Sequence, residues 1–436
     1  MTTVAGLNAE VFDGRLSASV LRHLAALDQE RPEVRAFVRR AFGLMARSRF
    51  RAEDVSPFFG WSLGAIVPRM LPGAWGGLVP PTTVNRRHVR FDEYVERAFP
   101  SSARLFLDVG CGLPPLTTLN TAEHFPDWAV TGVDPCFERY LVHDPTGDYA
   151  IFDADLTLRY FQAAVPEPAR WDALLRDPAV TRERFDRLLH RLRPKLPGSD
   201  ETTFSWTEHD GARLERNPVL RWVRPNLSFV RAELLAAELP AEHYDVARCL
   251  NVLGYFGAAY RVHARAWAAE RLKEGGLYLE GMDWPRSTCA RYFVSRRRSG
   301  RLQTVEFALS LDNLRPLAVA TVFALHDDDP ETRALSRVVG RLRSDEAFRA
   351  AFDAAMDRLL EGERLFRRQG DGYISDLLEE RPPAEREAAF ETVERALVTE
   401  GFVERAAEAL GRSGMRAWRN PVGHLAVDPE AALEEA

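Results

Sequence analysis

The sequence predicts an α/β protein built on a mostly parallel sheet, and three observations support this. Short apolar segments typical of buried strands recur along the chain, as in "ARLFLDVG", "DWAVTGVDP" and "LYLEGMDW". Amphipathic segments of helical length lie between them, as in "LTTLNTAEHF" and "YRVHARAWAAERLKEGG". Strands that alternate with helices form parallel sheets, because a helix carries the chain back to where the next strand begins.

A helical N-terminal cap, residues 1–100, precedes this pattern. Residues 8–50 carry apolar side chains at helical spacing, and 54–83 is rich in glycine, proline and aromatic residues and is predicted to be irregular. The segment "VRFDEYVERAF" is then expected to form a short amphipathic helix before the first strand.

The α/β core is expected over 101–290, interrupted by an insertion at about 137–225. Within the insertion, "RYLVHDPTGDYAIFDADLTLRYFQ" predicts a β-meander with a turn at "DPTGD", followed by two helices. Residues 291–436 form an added α+β region, with a hairpin at "RYFVSRRRSGRLQTVEFALSL", helices over about 331–412 and a final strand pair.

Composition excludes several classes of function. The chain has 436 residues and a formal net charge of −6, which gives no support to a nucleic-acid partner. Its four cysteines contain no CxxC pair, so neither a metal site nor a disulfide framework is indicated. Without a basic-apolar leader or an apolar run of roughly 18 residues, no membrane is expected and the cytoplasm is the default compartment.

The loop after the first strand, "LDVGCGLPPL", indicates the ligand. Gly110 and Gly112 let backbone pass close to a bound molecule, and Asp134 ends the next strand, where an acid can bind both hydroxyls of a ribose. Pro114 and Pro115 have no N–H for a pyrophosphate. A nucleoside without phosphate, S-adenosylmethionine, therefore fits better than a dinucleotide, and Asp108 is placed to meet its ammonium group; a simple turn role for Asp134 stays open.

An ordered set of motifs resembles the class I S-adenosylmethionine-dependent methyltransferases. "LDVGCG", "VTGVDP", "SFVRAEL", "YDVARCLNVLGYF" and "LKEGGLYLEG" match in order, over roughly 104–134 and 226–284. The departures are Pro114, where a third glycine often stands, and the long insertion. The resemblance implies a Rossmann-like fold with cofactor contacts from Asp108, Gly110, Cys111, Gly112, Asp134, Pro135, Ala232, Glu233 and Asn251.

Residues 250–281 are also similar to the corresponding stretch of chemotaxis-receptor glutamate methyltransferases, which share "NVL-x-YF". The similarity is local, since the N-terminal region shows no match.

Candidate catalytic residues follow the fourth and fifth strands. Tyr255 is expected to wall the acceptor pocket, or simply to pack, and His263 is a possible base or a surface histidine. Asp283 and Trp284 are expected to face the pocket. The basic cluster "RRHVR" at 86–90 is either a clamp for an acidic acceptor or a solvated helix face.

The sequence thus favours a methyltransferase that acts on a small molecule in an enclosed site. The alternatives are a protein or peptide carboxyl methyltransferase, a methyltransferase-like scaffold without turnover, and a nicotinamide-dependent oxidoreductase, which the prolines and the missing third glycine disfavour. The acceptor and the oligomeric state stay open.

Overall fold

The computed structural model describes residues 3–71, 83–99, 104–164, 168–197, 203–316, 326, 329–378 and 382–434. The chain divides into two compact units. Unit 1 comprises Met1–Val67, Asn85–Arg104 and Pro240–Ala436, and unit 2 comprises Pro68–Val84 and Leu105–Leu239. Each unit takes residues from more than one of the three segments that the sequence predicts.

The strands are β1 (Leu105–Val109), β2 (Ala129–Val133), β3 (Tyr140–His143), β4 (Tyr149–Phe152), β5 (Leu158–Gln162), β6 (Phe204–Thr207), β7 (Arg213–Arg216), β8 (Leu227–Val230), β9 (Tyr244–Leu250), β10 (Leu272–Met282), β11 (Arg291–Arg298), β12 (Arg301–Leu309), β13 (Phe366–Arg368), β14 (Ile374–Asp376), β15 (Ala417–Arg419) and β16 (Leu425–Val427).

The α-helices are α1 (Val4–Phe12), α2 (Ala18–Leu24), α3 (Pro32–Arg47), α4 (Pro57–Trp61), α5 (Val67–Met70), α6 (Val89–Ala98), α7 (Leu116–His124), α8 (Pro168–Leu175), α9 (Pro178–Leu192), α10 (Ala258–Arg271), α11 (Pro330–Ser344), α12 (Glu346–Gly362), α13 (Pro383–Thr399), α14 (Phe402–Arg412) and α15 (Pro429–Leu433). Among the residues with described structure, no helix is both long and apolar enough to cross a membrane.

Unit 2 contains the first half of the expected α/β pattern. β1 pairs in parallel with β2, and β2 pairs in parallel with β8, so the strands run in the order β1-β2-β8. β1 is buried except at Leu105, which is half-buried, as the mostly apolar sequence "LFLDV" predicts. α7 connects β1 to β2, which is the helical crossover that parallel strands require.

The insertion in unit 2 folds as a separate antiparallel sheet. Its strand order is β5-β4-β3-β7-β6, and the first three strands form the predicted meander with the predicted turn. The two predicted helices, α8 and α9, follow, and Asp177 caps α9 by accepting from the N–H groups of Ala179 and Val180. Leu141, Ile151 and Tyr160 pack in one apolar cluster with Cys111 and Leu113 of the glycine loop.

Unit 1 contains the second half of the pattern. β9 is buried along its whole length and pairs in parallel with β10, and α10 connects the two. β11 and β12 form the predicted hairpin, which extends the sheet antiparallel to β10, and β16 and β15 follow at its edge as the predicted final strand pair.

Two local predictions are wrong. Helix α10 ends at Arg271 rather than at the Gly-Gly pair, because Gly275, with φ of 78°, forms a bulge within a strand that already begins at Leu272. The segment predicted to be irregular contains helices between Pro57 and Met70, because Ser56 caps the first of them by accepting from Phe59 N–H at 3.2 Å. Residues 72–82 of that segment lie outside the described residues.

Candidate functional site

The glycine loop of unit 2 has the conformation that its sequence predicts. Gly110 and Gly112 have φ of 75° and 68°, in the left-handed region that favours glycine. The N–H of Gly110 donates to the carbonyl of Val133 at 2.8 Å, so the loop is fixed to the end of β2. The loop therefore lies at the carboxyl ends of β1 and β2, where ligands of parallel α/β sheets bind.

Asp134 is the residue that organises this loop. Its carboxylate accepts from the N–H of Gly112 at 2.7 Å and from the N–H of Cys136 at 2.8 Å. Burial raises the pKa of Asp134, the two N–H groups oppose that rise, and the nearby charge of Glu233 adds to it. A carboxylate has about four acceptor positions, so two contacts leave it able to accept from ligand hydroxyls.

The start of α7 is closed to a pyrophosphate. Pro114 and Pro115 have no N–H, and the first amide, that of Leu116, donates to the carbonyl of Pro114 at 2.8 Å and lies 3.4 Å from Thr83 Oγ1. The donor set of this loop therefore fits a nucleoside with a free diol and does not fit a dinucleotide.

The remaining predicted cofactor residues of unit 2 surround this loop. Asp108 is buried and accepts from Thr118 Oγ1 at 2.7 Å, so its predicted contact with an ammonium group stays a prediction. Burial raises the pKa of the Cys111 thiol, which is therefore a neutral wall residue at neutral pH. Three predicted residues remain. Pro135 is exposed and follows Asp134, and after β8 Ala232 is half-buried and Glu233 is exposed.

Unit 1 contains a second set of polar side chains, at the ends of β9 and β10. Asn251 follows β9, and its amide clamps Asp283 after β10: Asn251 Nδ2 donates to Asp283 Oδ1 at 2.9 Å, and the N–H of Asp283 donates to Asn251 Oδ1 at 3.1 Å. The other carboxylate oxygen of Asp283 lies 3.0 Å from Nδ1 of His88. Asp283 is fully buried and His88 nearly so.

This arrangement defines the hydrogen bonding of the His88 ring. A carboxylate at Nδ1 favours the tautomer that carries its proton there and leaves the lone pair on Nε2. Within the described part of the chain, Nε2 has no hydrogen-bond partner. A histidine held in this way by a buried carboxylate is the arrangement of a general base.

The backbone beside this pair is strained. Arg286, Ser287 and Cys289 in the loop after β10, and Asn251 after β9, all have positive φ, between 48° and 61°, although none is glycine. Such conformations cost of order 1–3 kcal/mol each and cluster at functional sites. The loop is also fixed to the His88 segment, because the N–H of Ser287 donates to the carbonyl of Arg87 at 2.9 Å.

Two other residues, Tyr255 and His263, are predicted to be catalytic. Tyr255 is half-buried, and burial raises the pKa of its hydroxyl, so it is neutral at physiological pH. His263 is exposed on α10. Both roles stay predictions. Sequence reasoning missed His88, which was counted only as part of a basic cluster, because nothing in the sequence joins it to Asp283, 195 residues away.

The strand order and the glycine loop together decide the fold. Three parallel strands in the order third-second-first, with a glycine turn after the first and an acid after the second, form one half of a doubly wound sheet, and unit 1 contains a further parallel pair, β9 and β10. The fold is Rossmann-like. The local similarity to chemotaxis-receptor methyltransferases stays a prediction.

Comparisons with known proteins give little support for a particular function. No model of a known protein family matches the sequence, and no curated protein matches it. Among solved structures, a methyltransferase described as putative and S-adenosylmethionine-dependent, from Methanococcus maripaludis, matches at 10% identity and a TM-score of 0.22, over 45% of this chain and 55% of that one. This chain therefore spans about half of that protein.

Two further structures were solved with ligands. An amino pentose methyltransferase from Micromonospora echinaspora, bound to S-adenosylmethionine, matches at 17% identity and a TM-score of 0.21, over 51% of this chain and 68% of that one. Coclaurine N-methyltransferase, bound to N-methylheliamine and S-adenosylhomocysteine, matches at 11% identity and a TM-score of 0.23, over 94% and 91% of the two chains. At these scores the likeness supports no inference about activity.

Proposed function

We propose that this protein is an S-adenosylmethionine-dependent methyltransferase that acts on a small molecule. The observation that carries the proposal is the glycine loop of unit 2, where Asp134 fixes Gly112 and prolines remove the amides that a pyrophosphate needs. In this proposal, Asp134 binds the ribose hydroxyls, Glu233 and Ala232 lie beside the adenine, and the cytoplasm is the compartment.

When bound, S-adenosylmethionine supplies a methyl group on a sulfonium, and transfer of that methyl to a nucleophile leaves S-adenosylhomocysteine. A hydroxyl or amine acceptor must also lose a proton during transfer. Within unit 1, His88 is the residue that would accept a proton at Nε2, and Asp283 would stabilise the resulting imidazolium through Nδ1. Asn251 would hold Asp283 in place, and its predicted contact with the cofactor stays a prediction.

This base distinguishes the leading proposal from its protein-methylating alternative. A carboxylate acceptor carries its negative charge already and needs no base, so a carboxyl methyltransferase would have no use for the His88–Asp283 pair. A nicotinamide-dependent oxidoreductase is disfavoured by the two residues before α7, Pro114 and Pro115, because they have no N–H to donate to a pyrophosphate.

Calorimetric titration with S-adenosylmethionine, S-adenosylhomocysteine and NAD tests the proposal. Both sulfur ligands should bind the wild type, NAD should not, and Asp134→Asn should weaken the sulfur ligands by about 100-fold or more, since hydrogen bonds to a charged group are worth roughly 1.5–3 kcal/mol each.

Asp144→Asn is the matched control. Asp144 is also a buried aspartate of unit 2 that accepts from two backbone N–H groups, those of Thr146 and Asp148, but it lies in the meander turn. It should lose comparable stability and keep the ligand affinity of the wild type. Equal loss of affinity in both variants would assign a structural role to Asp134, and NAD binding would overturn the proposal.

A further inference from the structure

A cavity in unit 1 is lined in part by Trp284, the residue that follows Asp283. Its volume is about 50 Å³, within a cleft of about 640 Å³ that includes the mouth. Most of its wall is apolar and is formed by Trp284, Met356, Leu360, Phe366, Phe390 and Val393. The wall therefore favours an apolar ring. Part of that ring would lie in the mouth of the cleft, because a cavity that encloses benzene measures about 150 Å³.

Part of the cavity wall is charged. Asp54 and Arg315 line it and belong to a buried ion cluster. The arginines of the cluster are Arg51, Arg315, Arg343 and Arg368, and its aspartates are Asp54, Asp353 and Asp357. Four guanidinium groups facing three carboxylates leave one positive charge.

A further carboxyl, Asp312, also lines the cavity. It accepts from the N–H of Cys289 at 2.7 Å and from the hydroxyl of Ser310, and burial raises its pKa. Among the described residues its carboxylate makes no hydrogen bond to Arg315 Nε or Nη1, so these donors remain available.

Two nitrogen donors of Arg315 are available to a ligand. It is more than nine-tenths buried, and its Nη2 donates to Asp357 at 2.6 Å and to the carbonyl of Asp353 at 3.3 Å. Nε and Nη1 are both buried and have no hydrogen-bond acceptor among the described residues, although Nη1 lies 3.9 Å from Asp54. A buried donor without an acceptor lowers the stability of the folded protein. An oxygen of a ligand that accepts from Arg315 would therefore be favoured here.

We propose that this cavity binds a single-ring aromatic carboxylate, with the ring against Trp284 and Phe390 and the carboxylate at Arg315. That such a ligand is the methyl acceptor, through a hydroxyl or amine on its ring, rests on the proposed function; that it binds here does not. The charged and the aromatic residues of the wall would together set the orientation and the chemical class of the occupant.

The probe is 4-fluorobenzoate, followed by ¹⁹F NMR on the full chain without S-adenosylmethionine, and 4-fluorobenzamide is the neutral control of equal shape. The acid should bind about 10–100-fold more tightly than the amide, because only the acid pairs with a buried charge. Equal affinity, or no binding of either probe, overturns the proposal.

Location is tested with ¹³C-methyl methionine. The chain has six methionines, and Met356 lines the cavity. Its resonance, assigned with Met356→Leu, should shift with 4-fluorobenzoate; a shift confined to other methionines overturns the proposal.

Val393→Phe should fill the cavity and abolish binding, whereas Val398→Phe, the same change on the same helix but outside the lining, should leave it intact. Binding retained in Val393→Phe would contradict the proposal. Calorimetry with S-adenosylmethionine on the same samples tests the methyltransferase proposal independently. The cavity proposal can therefore fail while cofactor binding is retained.

Discussion

Replacing Asp54 with asparagine should be one of the most damaging single changes in unit 1. The Asp54 side chain is fully buried and accepts from Arg343 Nη2 at 2.7 Å, from Arg51 Nη2 at 3.0 Å and from Arg368 Nη2 at 3.1 Å. Three arginines from separate parts of the chain thus depend on one carboxylate.

The expected cost is about 3–5 kcal/mol, the usual result of removing one partner from a buried ion pair. The sum of three charge-assisted hydrogen bonds would be larger, roughly 4.5–9 kcal/mol, but Arg343 and Arg368 keep Asp353 and Asp357 as partners. A domain is commonly stable by only about 5–15 kcal/mol, so the loss is a large fraction of the total.

The cost should depend on pH with a definite sign. Burial alone raises the pKa of Asp54, but the hydrogen bond from Arg51 and the charges of Arg315 and Arg343 hold that pKa well below its ordinary value. A carboxyl with a depressed pKa in the folded state contributes stability above its unfolded pKa, about 3.9, and loses it as the pH falls further. The difference between wild type and variant should therefore be constant from pH 8 to 5 and shrink below pH 4.

Urea unfolding of both proteins at pH 7 and pH 3.5 measures this difference. Glu404→Gln is the control, because its ion pair with Arg419 is half exposed and should be worth at most about 1 kcal/mol. If Asp54→Asn costs no more than the control, or if its cost does not fall at low pH, the reasoning from burial and charge is refuted.

Three further changes test the site and the sheet. In Gly132→Ala the new methyl would lie 2.8 Å from the ring of Phe229, so we expect a cost of about 1–3 kcal/mol in urea unfolding and weaker S-adenosylmethionine binding; unchanged affinity would separate β2 packing from the ligand site. Asp283→Asn should lower kcat about 10²–10⁴-fold with an acceptor from a methylation screen, and leave cofactor affinity unaltered; an unaltered rate would exclude the base. Gly281→Ala would bring a methyl within 2.4 Å of the carbonyl of Arg291, so the unfolding midpoint should fall, and a wild-type midpoint would contradict the close approach of β10 and β11.

The sequence by itself determined the elements whose signals are local. Short, mostly apolar segments predicted buried parallel strands, the pattern around "DPTGD" predicted the meander, and both are observed. The glycine loop was predictable for the same reason: Gly110, Gly112 and Pro114 act through their own backbone, so their effect is written in a few adjacent residues.

Only the tertiary structure decided the contacts between residues far apart in the chain. His88 meets Asp283 across 195 positions, and no local pattern distinguishes that histidine from its arginine neighbours. The ion cluster likewise joins Asp54 to Arg343 and Arg368, 289 and 314 positions away. Such pairings depend on how elements pack, because burial removes water and leaves each charge only the partner that the fold brings to it.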